Sequence, residues 1–516
     1  MSPQFSEAFA LLPQYLDSHV LLSASALVLG VAVSLPLAVG AARSPRLRWP
    51  VLAFASLVQT IPSLALLALF YPLLLGLSAL SRSLFGHGFS ALGFLPSLLA
   101  LTLYSMLPVL RNGAAGVLGV DPAVREAADG VGMTSRQKLL EVELPLAAPV
   151  IMAGVRTAAV WTIGAATLST PVGQTSLGNY IFAGLQTENW VFVLFGCAAA
   201  ALLAMAADQL LGLVEAGLRR RSRRRVLAGL AGLAVGTALA LAPLAGLGKA
   251  AAYVVGAKNF SEQYILAELV AGRLEGAGAE VSRRDNLGSS IAYSALAASE
   301  LDVYVDYSGT LWTNVLGRTD NPGRAAVLAS LTAELKRRDG VVVLGSLGFE
   351  NAYAFVMRPD RAQALGVRTL DDLARVAPQL TLGSDLEFLS RPEWKAVETA
   401  YGLKFGRARS YQPTFMYRAL AGGEADVISA FSSDGRIAAD GLVVLEDPKG
   451  AIPPYDAVIL VAPERAGDDQ LLSTLRPLVG AIPVEAMRAA NYSVDRDAEK
   501  ASPAQAARAL GAQLRR

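Results

Sequence analysis

The sequence predicts two kinds of structure in one chain, a membrane-spanning α-helical bundle followed by a two-lobe α/β domain. Only 17% of the 516 residues are charged and the mean hydropathy is +0.42, whereas a soluble protein has about 25% charged residues. Long apolar segments fill the chain up to about residue 247, and strand and helix patterns alternate from residue 252 onward. We therefore expect a membrane domain at 1–248 and a second domain at 252–516.

Six apolar segments are long enough to cross a bilayer, which takes about 20 residues of helix. They lie near 19–40, 50–76, 91–110, 149–170, 190–214 and 226–247. Prolines fall inside some of them, and neighbouring helices of a membrane bundle can accommodate such prolines. The alternative interpretation is a set of buried helices in a large soluble core.

Basic residues indicate how these helices are oriented. The first 18 residues contain no Lys or Arg, whereas basic residues follow the first, third and fifth segments, the last of them as the run RRRSRRR at 219–225. The positive-inside rule therefore predicts basic loops in the cytoplasm, with the N-terminus and everything after residue 250 outside. We expect a multi-pass protein of the bacterial inner membrane, embedded in lipid, with its C-terminal domain on the extracytoplasmic side.

The segment 226–247 has a second interpretation. An Arg-rich stretch, an apolar run and the small residues GKAAA at 248–252 also resemble a secretory signal peptide with its cleavage site. The apolar run is longer than usual for a signal peptide, which favours an uncleaved sixth span. Both interpretations leave the C-terminal domain outside the membrane.

Composition excludes several classes of site. The chain has one cysteine, Cys197, and two histidines that lie far apart, His19 and His87. A disulfide framework, a zinc cluster and a His-based catalytic or metal site are therefore not expected. The net charge of +2 gives no indication of nucleic-acid binding, and the sequence suggests no cofactor.

The segment 121–145, DPAVREAADGVGMTSRQKLLEVELP, predicts a helix–turn–helix on the basic side of the membrane. Asp121 is a good N-cap and Pro122 a good first helical residue, and two glycines end this first helix. Thr134 then begins a second helix, with Gln137 as its capping-box partner. We expect Pro145 to end that second helix.

This segment resembles the EAA loop of ABC-importer permeases, in which a short cytoplasmic helix docks on a separate ATPase and transmits its closure to the membrane helices. The residues that match the family pattern are Glu126, Ala127, Ala128, Gly132, Val142, Leu144 and Pro145. The resemblance implies that small alanines permit close approach and that Glu126 pairs with a basic residue of the ATPase. The chain has no GxxxxGK[ST] phosphate loop, so the ATPase is expected to be another polypeptide.

The C-terminal domain reads as strands alternating with helices, which predicts parallel α/β sheets. This alternation of strands and helices runs from YVVGAK at 253–258 to AVILVAP at 457–463, and three helices are predicted after that. We expect one lobe from about 253–349 and 457–516, and a second lobe from about 350–456. Ligands of α/β sheets bind outside the carboxyl ends of the strands, which is where DYSGT at 306–310 would lie.

Five ordered motifs in this domain resemble the substrate-binding proteins of osmoprotectant ABC importers, whose fold is a two-lobe, type II-like periplasmic binding protein. They are GAKNFSEQ at 256–263, DYSGT at 306–310, NAYAFVM at 351–357, FSSDGRI at 431–437 and LEDPKGAIPPYDA at 445–457. Members of that family bind glycine betaine, choline, carnitine and related compounds. Together with the membrane domain, the pattern is similar to importers whose permease and binding protein are fused.

The resemblance implies a cage of aromatic rings around a trimethylammonium group. Such a group carries charge but no N–H donor, and aromatic faces attract it at about 0.5–2 kcal/mol per ring. The family positions fall on Tyr307, Tyr353, Phe431 and Tyr455, with Gln263 and Thr310 at positions that hydrogen-bond the other end of the ligand. Phe431 departs from the tyrosine common at its position, which leaves the identity of the amine open. For each ring alone, ordinary core packing is the competing interpretation.

The sequence thus predicts a non-catalytic subunit of an ATP-driven importer for a quaternary ammonium compound. The substrate could be glycine betaine, choline or carnitine, or a bulkier betaine such as ergothioneine. We expect two copies of the permease to form the pathway. The alternative function is a ligand-sensing membrane receptor that uses the same lobes.

Overall fold

The computed structural model describes residues 3–187, 189–245, 252–318, 320–411, 413–496 and 499–514. The chain forms two compact units, one before residue 250 and the other after it, except that residues 183–189 belong to the second unit. The predicted fold class is confirmed, because the first unit is helical and the second contains two five-stranded sheets. The GKAAA segment and the end of the predicted sixth span fall largely outside the described residues.

The first unit consists of long apolar helices. Its helices are α1 (Pro3–Arg43), α2 (Pro45–Thr60), α3 (Ser63–Phe85), α4 (Phe94–Leu118), α5 (Pro122–Gly130), α6 (Ser135–Gln137), α7 (Leu144–Ala166), α8 (Gly178–Gln186), α9 (Trp190–Arg219) and α10 (Arg223–Ala245). A π-helix at Lys138–Glu143 precedes α7, and a 3₁₀ helix at Thr167–Val172 follows it. Among the described residues, six helices are long and apolar enough to cross a membrane, as the sequence predicted.

The second predicted span, 50–76, is wrong as a single helix. The chain leaves the helical conformation at Ile61, with φ −75° and ψ 126°, and α3 begins after Pro62. Proline disfavours helical geometry at the residue before it and donates no backbone hydrogen bond, so α2 and α3 are separate.

The helix–turn–helix is confirmed at its start and wrong at its end. Asp121 caps α5 by accepting from the Ala123 N–H, and Thr134 and Gln137 form the predicted capping box. Pro145, however, does not end the second helix, because the chain stays helical from Ser135 to Ala166. The π-turn explains this, since the Leu144 N–H bonds to the Leu139 carbonyl, five residues back. This turn interrupts the ordinary α ladder just before the proline, whose missing N–H then falls in the first turn of α7.

The second unit contains two mixed sheets. Its strands are β1 (Tyr253–Lys258), β2 (Val281–Leu287), β3 (Val303–Tyr307), β4 (Val342–Glu350), β5 (Tyr353–Met357), β6 (Thr381–Ser384), β7 (Arg407–Ser410), β8 (Val427–Phe431), β9 (Val443–Val444) and β10 (Asp456–Val461). The first sheet has the order β2-β1-β3-β10-β4 and the second β7-β6-β8-β5-β9. Each sheet forms the centre of one lobe.

Helices cover both sheets. They are α11 (Ser261–Gly276), α12 (Ser289–Ala297), α13 (Ser308–Thr310), α14 (Arg324–Asp339), α15 (Pro359–Leu365), α16 (Leu370–Val376), α17 (Leu386–Ser390), α18 (Pro392–Tyr401), α19 (Pro413–Ala421), α20 (Gly435–Ala439), α21 (Asp469–Leu475), α22 (Val484–Asp495) and α23 (Pro503–Gln513). A π-helix at Leu311–Val315 continues α13. Short 3₁₀ helices lie at Ala377–Gln379, Pro463–Arg465 and Arg476–Leu478.

The expectation of purely parallel sheets is wrong. β10 runs antiparallel to β3 and β4, and β5 runs antiparallel to β8 and β9. Both strands stand where the chain has just crossed from one lobe to the other, so each enters its new sheet against the direction of its neighbours. The Asn351 N–H donates to the Tyr455 carbonyl at 2.9 Å, which joins the two crossings into a hinge.

Candidate functional site

Three aromatic rings meet where the lobes are joined. Tyr353 opens β5 and Phe431 ends β8, and the register of these antiparallel strands places the two residues opposite each other. Their ring centroids are 4.9 Å apart. The Tyr455 ring, from the return crossing, stands edge-on to Tyr353 at 5.8 Å and 89°. The pairing of β5 with β8 thus brings two of these rings together, and the return crossing adds the third from another distant part of the sequence.

Tyr307 is the fourth predicted ring, and it already has neighbours on the first lobe. The Phe260 ring stacks on it at 6.0 Å, and the Lys258 ammonium lies 5.0 Å from its centroid. All four predicted rings line one cavity of about 560 Å³. The structure therefore brings the four predicted aromatic residues to a single site.

The Ser-Gly-Thr turn after Tyr307 holds the return crossing in place. The Ser308 hydroxyl donates to the Pro454 carbonyl and accepts from the Asp456 N–H, each at 2.8 Å. At Gly309, a Cβ atom would overlap the Tyr455 ring. Glycine is required here because the backbone and the ring pack directly against each other.

Glu262 is a fully enclosed carboxylate behind the rings. It accepts hydrogen bonds from the Tyr307 hydroxyl at 2.6 Å, the Asn351 amide at 3.0 Å and the Asn491 amide at 2.7 Å. Burial raises the pKa of Glu262, and the hydrogen bonds oppose this by favouring the charged form. Burial and the nearby Glu262 carboxylate also raise the pKa of Tyr307, so its hydroxyl remains a donor.

The two predicted polar residues differ in their placement. Thr310 lines the cavity, whereas Gln263 is not among the described residues that line it. The Gln263 amide donates to the Tyr307 hydroxyl at 3.0 Å, and its oxygen accepts from the Lys258 N–H at 3.3 Å. Gln263 thus supports Tyr307 in this structure, and a direct contact with a ligand stays a prediction.

An arginine and a glutamate of the second lobe hold the outer ends of two rings. The buried Arg391 donates from Nη1 to the Tyr353 hydroxyl at 3.1 Å, and its Nε lies 3.5 Å from Oε2 of Glu393. The Tyr455 hydroxyl donates to Oε1 of Glu393. Arg391 also lines the cavity, which places a guanidinium cation beside the aromatic rings.

Carboxylates and an arginine connect the lobes beside the cavity. Asp434 caps α20 by accepting from the Arg436 N–H, and Arg436 Nη2 donates to the backbone oxygen of Asp495 in α22 at 2.6 Å. Ser261 donates its hydroxyl to Asp495 Oδ1 at 2.5 Å. Burial, with a further contribution from the charge of Asp434, raises the pKa of Asp495 to about 7.

Among the cavity-lining residues that the sequence analysis missed are Phe260, Glu262, Asn351, Asp385 and Arg391, which contribute charge, amide groups or a ring. Three of them fall inside motifs that were identified, next to the residues chosen. Asp385 and Arg391 fall outside those motifs. Asp385 caps α17 by accepting from the Phe388 N–H, and Arg391 contacts Tyr353 and Glu393 of the same lobe.

The segment 121–145 contains the second candidate site. Glu126 and Ala127 are exposed on α5, whereas Ala128 is buried, and Gly132 has a φ of +80° that favours glycine. Leu144 and Pro145 open α7.

Glu143 fixes α5 against the long helices. This buried residue lies 3.2 Å from Arg125 on α5 and 3.2 Å from Arg43 at the end of α1. One carboxylate therefore connects the short helix with the ends of two apolar helices.

Comparison with known proteins decides the family. A family model described as the substrate binding domain of the ABC-type glycine betaine transport system matches residues 251–512. The chain belongs to this family. A second model, the inner membrane component of binding-protein-dependent transport systems, matches residues 31–220. The protein is therefore a membrane protein that fuses a permease to a substrate-binding domain of an ABC importer.

Individual relatives cover either the whole fusion or one part of it. The ergothioneine transport permease/ergothioneine binding protein EgtU of Helicobacter pylori (strain G27) is 29% identical over 462 residues, covering 86% of this chain and 80% of that protein. The choline transport system permease protein OpuBB of Bacillus subtilis (strain 168) is 38% identical over 208 residues, covering 40% of this chain and 88% of its own. A solved structure of a glycine betaine/carnitine/choline ABC transporter aligns at 29% identity and a TM-score of 0.46, covering 51% of this chain and 98% of its own.

Replacing Tyr307 by Phe should destabilise the binding domain although the ring is kept. The change removes one of the donors to the buried Glu262 carboxylate, which costs about 1–3 kcal/mol. Chemical unfolding of the fragment 252–516 measures this loss. The control is Tyr492→Phe, since Tyr492 is 38% exposed and its loss of a hydroxyl should change stability by less than about 0.5 kcal/mol. Equal stability of the two variants would contradict the role of the Tyr307 hydroxyl.

The stability of the same fragment should depend on the protonation of Asp495. Its pKa is about 7 when folded, against an ordinary value of 3.8, so the folded state binds the extra proton between these values and stability falls as the pH rises through this window. The melting temperature of the parent should fall between pH 5 and pH 7.5. Asp495→Asn removes this contribution, so the fall in the variant should be smaller by about 3–8 °C. Scanning calorimetry at both pH values tests this, with Asp360→Asn on the surface as the control. An unchanged pH slope in Asp495→Asn would refute it.

Proposed function

We propose that the chain is the permease and binding subunit of an importer for a quaternary ammonium compound, with Tyr307, Tyr353, Phe431 and Tyr455 as the cage for the cation. The observation that carries this proposal is the convergence of the four rings on one cavity, where the Tyr353 ring packs against those of Phe431 and Tyr455. Aromatic faces are the protein groups that suit a cation without N–H donors. The functions named for the relatives, which include ergothioneine, choline, carnitine and glycine betaine transport, agree with this chemistry.

The charged groups around the cage favour a zwitterion over bare choline. Arg391 brings a guanidinium to the cavity, and guanidinium groups suit carboxylates through their fork of donors. Thr310 adds a hydroxyl, and Gln263 supports the Tyr307 ring or reaches the ligand as the lobes move. We therefore propose a substrate that carries a trimethylammonium group and a carboxylate, such as glycine betaine, carnitine or a bulkier betaine.

In this proposal the membrane half couples ATP hydrolysis on a separate subunit to movement of the solute. We propose that 1–248 forms the permease, that 252–516 captures the ligand on the extracytoplasmic side of the bacterial inner membrane, and that two copies form the pathway. In this proposal α5 docks on a separate cytoplasmic ATPase through Glu126, Ala127, Ala128 and Gly132, and Leu144 and Pro145 pass the movement to α7. The chain itself is non-catalytic, and ATP is hydrolysed on the partner.

Calorimetry of the full-length protein in detergent tests the cage. Methylated amines with a carboxylate should bind more tightly than choline. All of them should bind more tightly than 3,3-dimethylbutanoic acid, which has the shape of glycine betaine and its carboxylate but a neutral carbon in place of the cationic nitrogen. Phe431→Leu should weaken binding of the quaternary amine about 3–30-fold, the equivalent of one ring. Phe431→Tyr keeps the ring and should change affinity less than about twofold. Preferential binding of ordinary amino acids or sugars would reject the proposal.

Uptake by cells that contain the cognate ATPase tests the coupling loop. Glu126→Lys should reduce uptake at least about tenfold, because it reverses the charge that faces the ATPase, and Gly132→Val should do the same by straining a backbone with φ of +80°. Neither change should alter the affinity of the purified protein for its ligand. Glu141→Lys is the control, since Glu141 is an exposed acid of the same loop outside the docking set. Full uptake in both variants would favour the receptor over the importer.

A further inference from the structure

A cluster of charged side chains lies within two apolar helices of the permease. Arg156 on α7 donates to both oxygens of Asp208 on α9, from Nε at 3.0 Å and Nη2 at 2.9 Å, and to Glu215 Oε2 from Nη1 at 2.7 Å. Asp208 and Glu215 are seven residues apart and thus lie on one face of α9. Gly212 lies between them, and a Cβ there would be 3.3 Å from the guanidinium carbon.

This cluster lies in the part of two predicted spans that is nearer the basic loops. Arg156 is seven residues inside the span 149–170, Asp208 is six residues before the end of the span 190–214, and Glu215 directly follows that end. Seven residues of helix rise about 10 Å, which is a third of a hydrocarbon core of about 30 Å. Both helices are among those long and apolar enough to cross a membrane.

The cluster is not sealed inside the helical unit. The side chains of Arg156, Asp208 and Glu215 remain 31%, 27% and 20% exposed. Charged groups at this depth are costly to expose to hydrocarbon, so they face the interior of a bundle or a water-filled space. The α7–α9 face that bears them is therefore not a lipid face.

An open cavity of about 410 Å³ lies beside the cluster. It is lined by Ala153, Arg156, Thr157, Val160, Trp161, Asp208 and Glu215. Trp161 is half-exposed, as is expected of a ring that borders the cavity. One guanidinium and two carboxylates leave a formal charge of −1, and the indole adds an aromatic face. A negative charge next to an aromatic face is the environment that attracts a quaternary ammonium ion.

We propose that Trp161, Asp208 and Glu215 form a binding site for the quaternary ammonium group inside the translocation pathway, with Arg156 next to it for the carboxylate of a zwitterion. This inference rests on the proposed import of such a compound. The site lies on the permease and is separate from the cage of the binding domain, so the solute meets a second cation site after it leaves the first. The alternative is that the ion pairs only fix α7 to α9. That structural role would require neither Trp161 nor an open cavity.

Chemical labelling in lipid nanodiscs tests the site without the ATPase. Cys197 is the only cysteine and is replaced by Ser, after which Thr157→Cys places a thiol at the cavity. Two reagents of opposite charge are compared, the trimethylammonium reagent MTSET and the sulfonate reagent MTSES, each relative to its rate with free cysteine. MTSET should modify Thr157→Cys at least about fivefold faster than MTSES after this correction. Asp208→Asn combined with Glu215→Gln should abolish the preference.

Two controls make the labelling decisive. Val235→Cys puts a thiol at an exposed apolar position of α10 and should stay unmodified. Excess tetramethylammonium chloride should slow the labelling of Thr157→Cys, whereas sodium chloride at the same concentration should not. A thiol at 157 as unreactive as that at 235 would mean that lipid or a second copy covers the face, and the proposal would be wrong. Equal effects of the two salts would likewise overturn it.

Uptake measurements connect the site with transport. Trp161→Leu and Asp208→Asn should each reduce uptake at least about tenfold. In calorimetry of the full-length protein, the binding event that Phe431→Leu weakens belongs to the cage, and it should keep an affinity within about twofold of the parent. Trp190→Leu is the matched control, since Trp190 is an equally exposed tryptophan, 50% in each case, that does not line this cavity. Unchanged uptake in both variants would reject the site. If a variant fails to reach the membrane, the labelling results alone decide. Calorimetry in which no quaternary amine binds would refute the proposed function itself.

Discussion

The binding domain depends on the enclosure of one carboxylate. Glu262 in the first turn of α11 collects hydrogen bonds from β3, from the crossing between β4 and β5, and from α22. A buried charge is tolerated only when such bonds satisfy it, so these elements must assemble around it in one arrangement. That arrangement also sets the Tyr307 ring at the cavity and holds the first crossing where Asn351 can bond to the second.

The two crossings explain why the cage forms at the hinge. They are hydrogen-bonded neighbours, and each feeds an antiparallel strand into its sheet. Tyr353 follows the first crossing directly and Tyr455 ends the second, so rings that are about 100 residues apart become neighbours. A closure of the lobes would therefore act first on these rings, and Glu393 of the second lobe already holds the Tyr455 hydroxyl.

The membrane half is subject to a different constraint, because hydrocarbon cannot satisfy charges. Its charged side chains are accordingly grouped, as in the pair of Arg43 and Arg125 around Glu143 and in the cluster around Arg156. The first group joins the short helix α5 to the ends of α1 and α7. The second marks a polar face within helices that are otherwise apolar.

The sequence by itself determined the division into apolar and α/β halves, the number of spans, the caps of α5 and α6 and the motifs that hold the four rings. These follow from local composition and periodicity, or from short motifs, which depend little on distant parts of the chain. The tertiary structure alone decided the direction of β5 and β10, because only the lobe crossings reverse them. It also decided the continuation of the helix through Pro145, which needs a π-turn, and the placement of Gln263 behind Tyr307. The Arg156 cluster was invisible because its charges lie 52 and 59 residues apart in sequence and only folding brings them together. Arg391 was missed because Tyr353, whose hydroxyl it binds, lies 38 residues away.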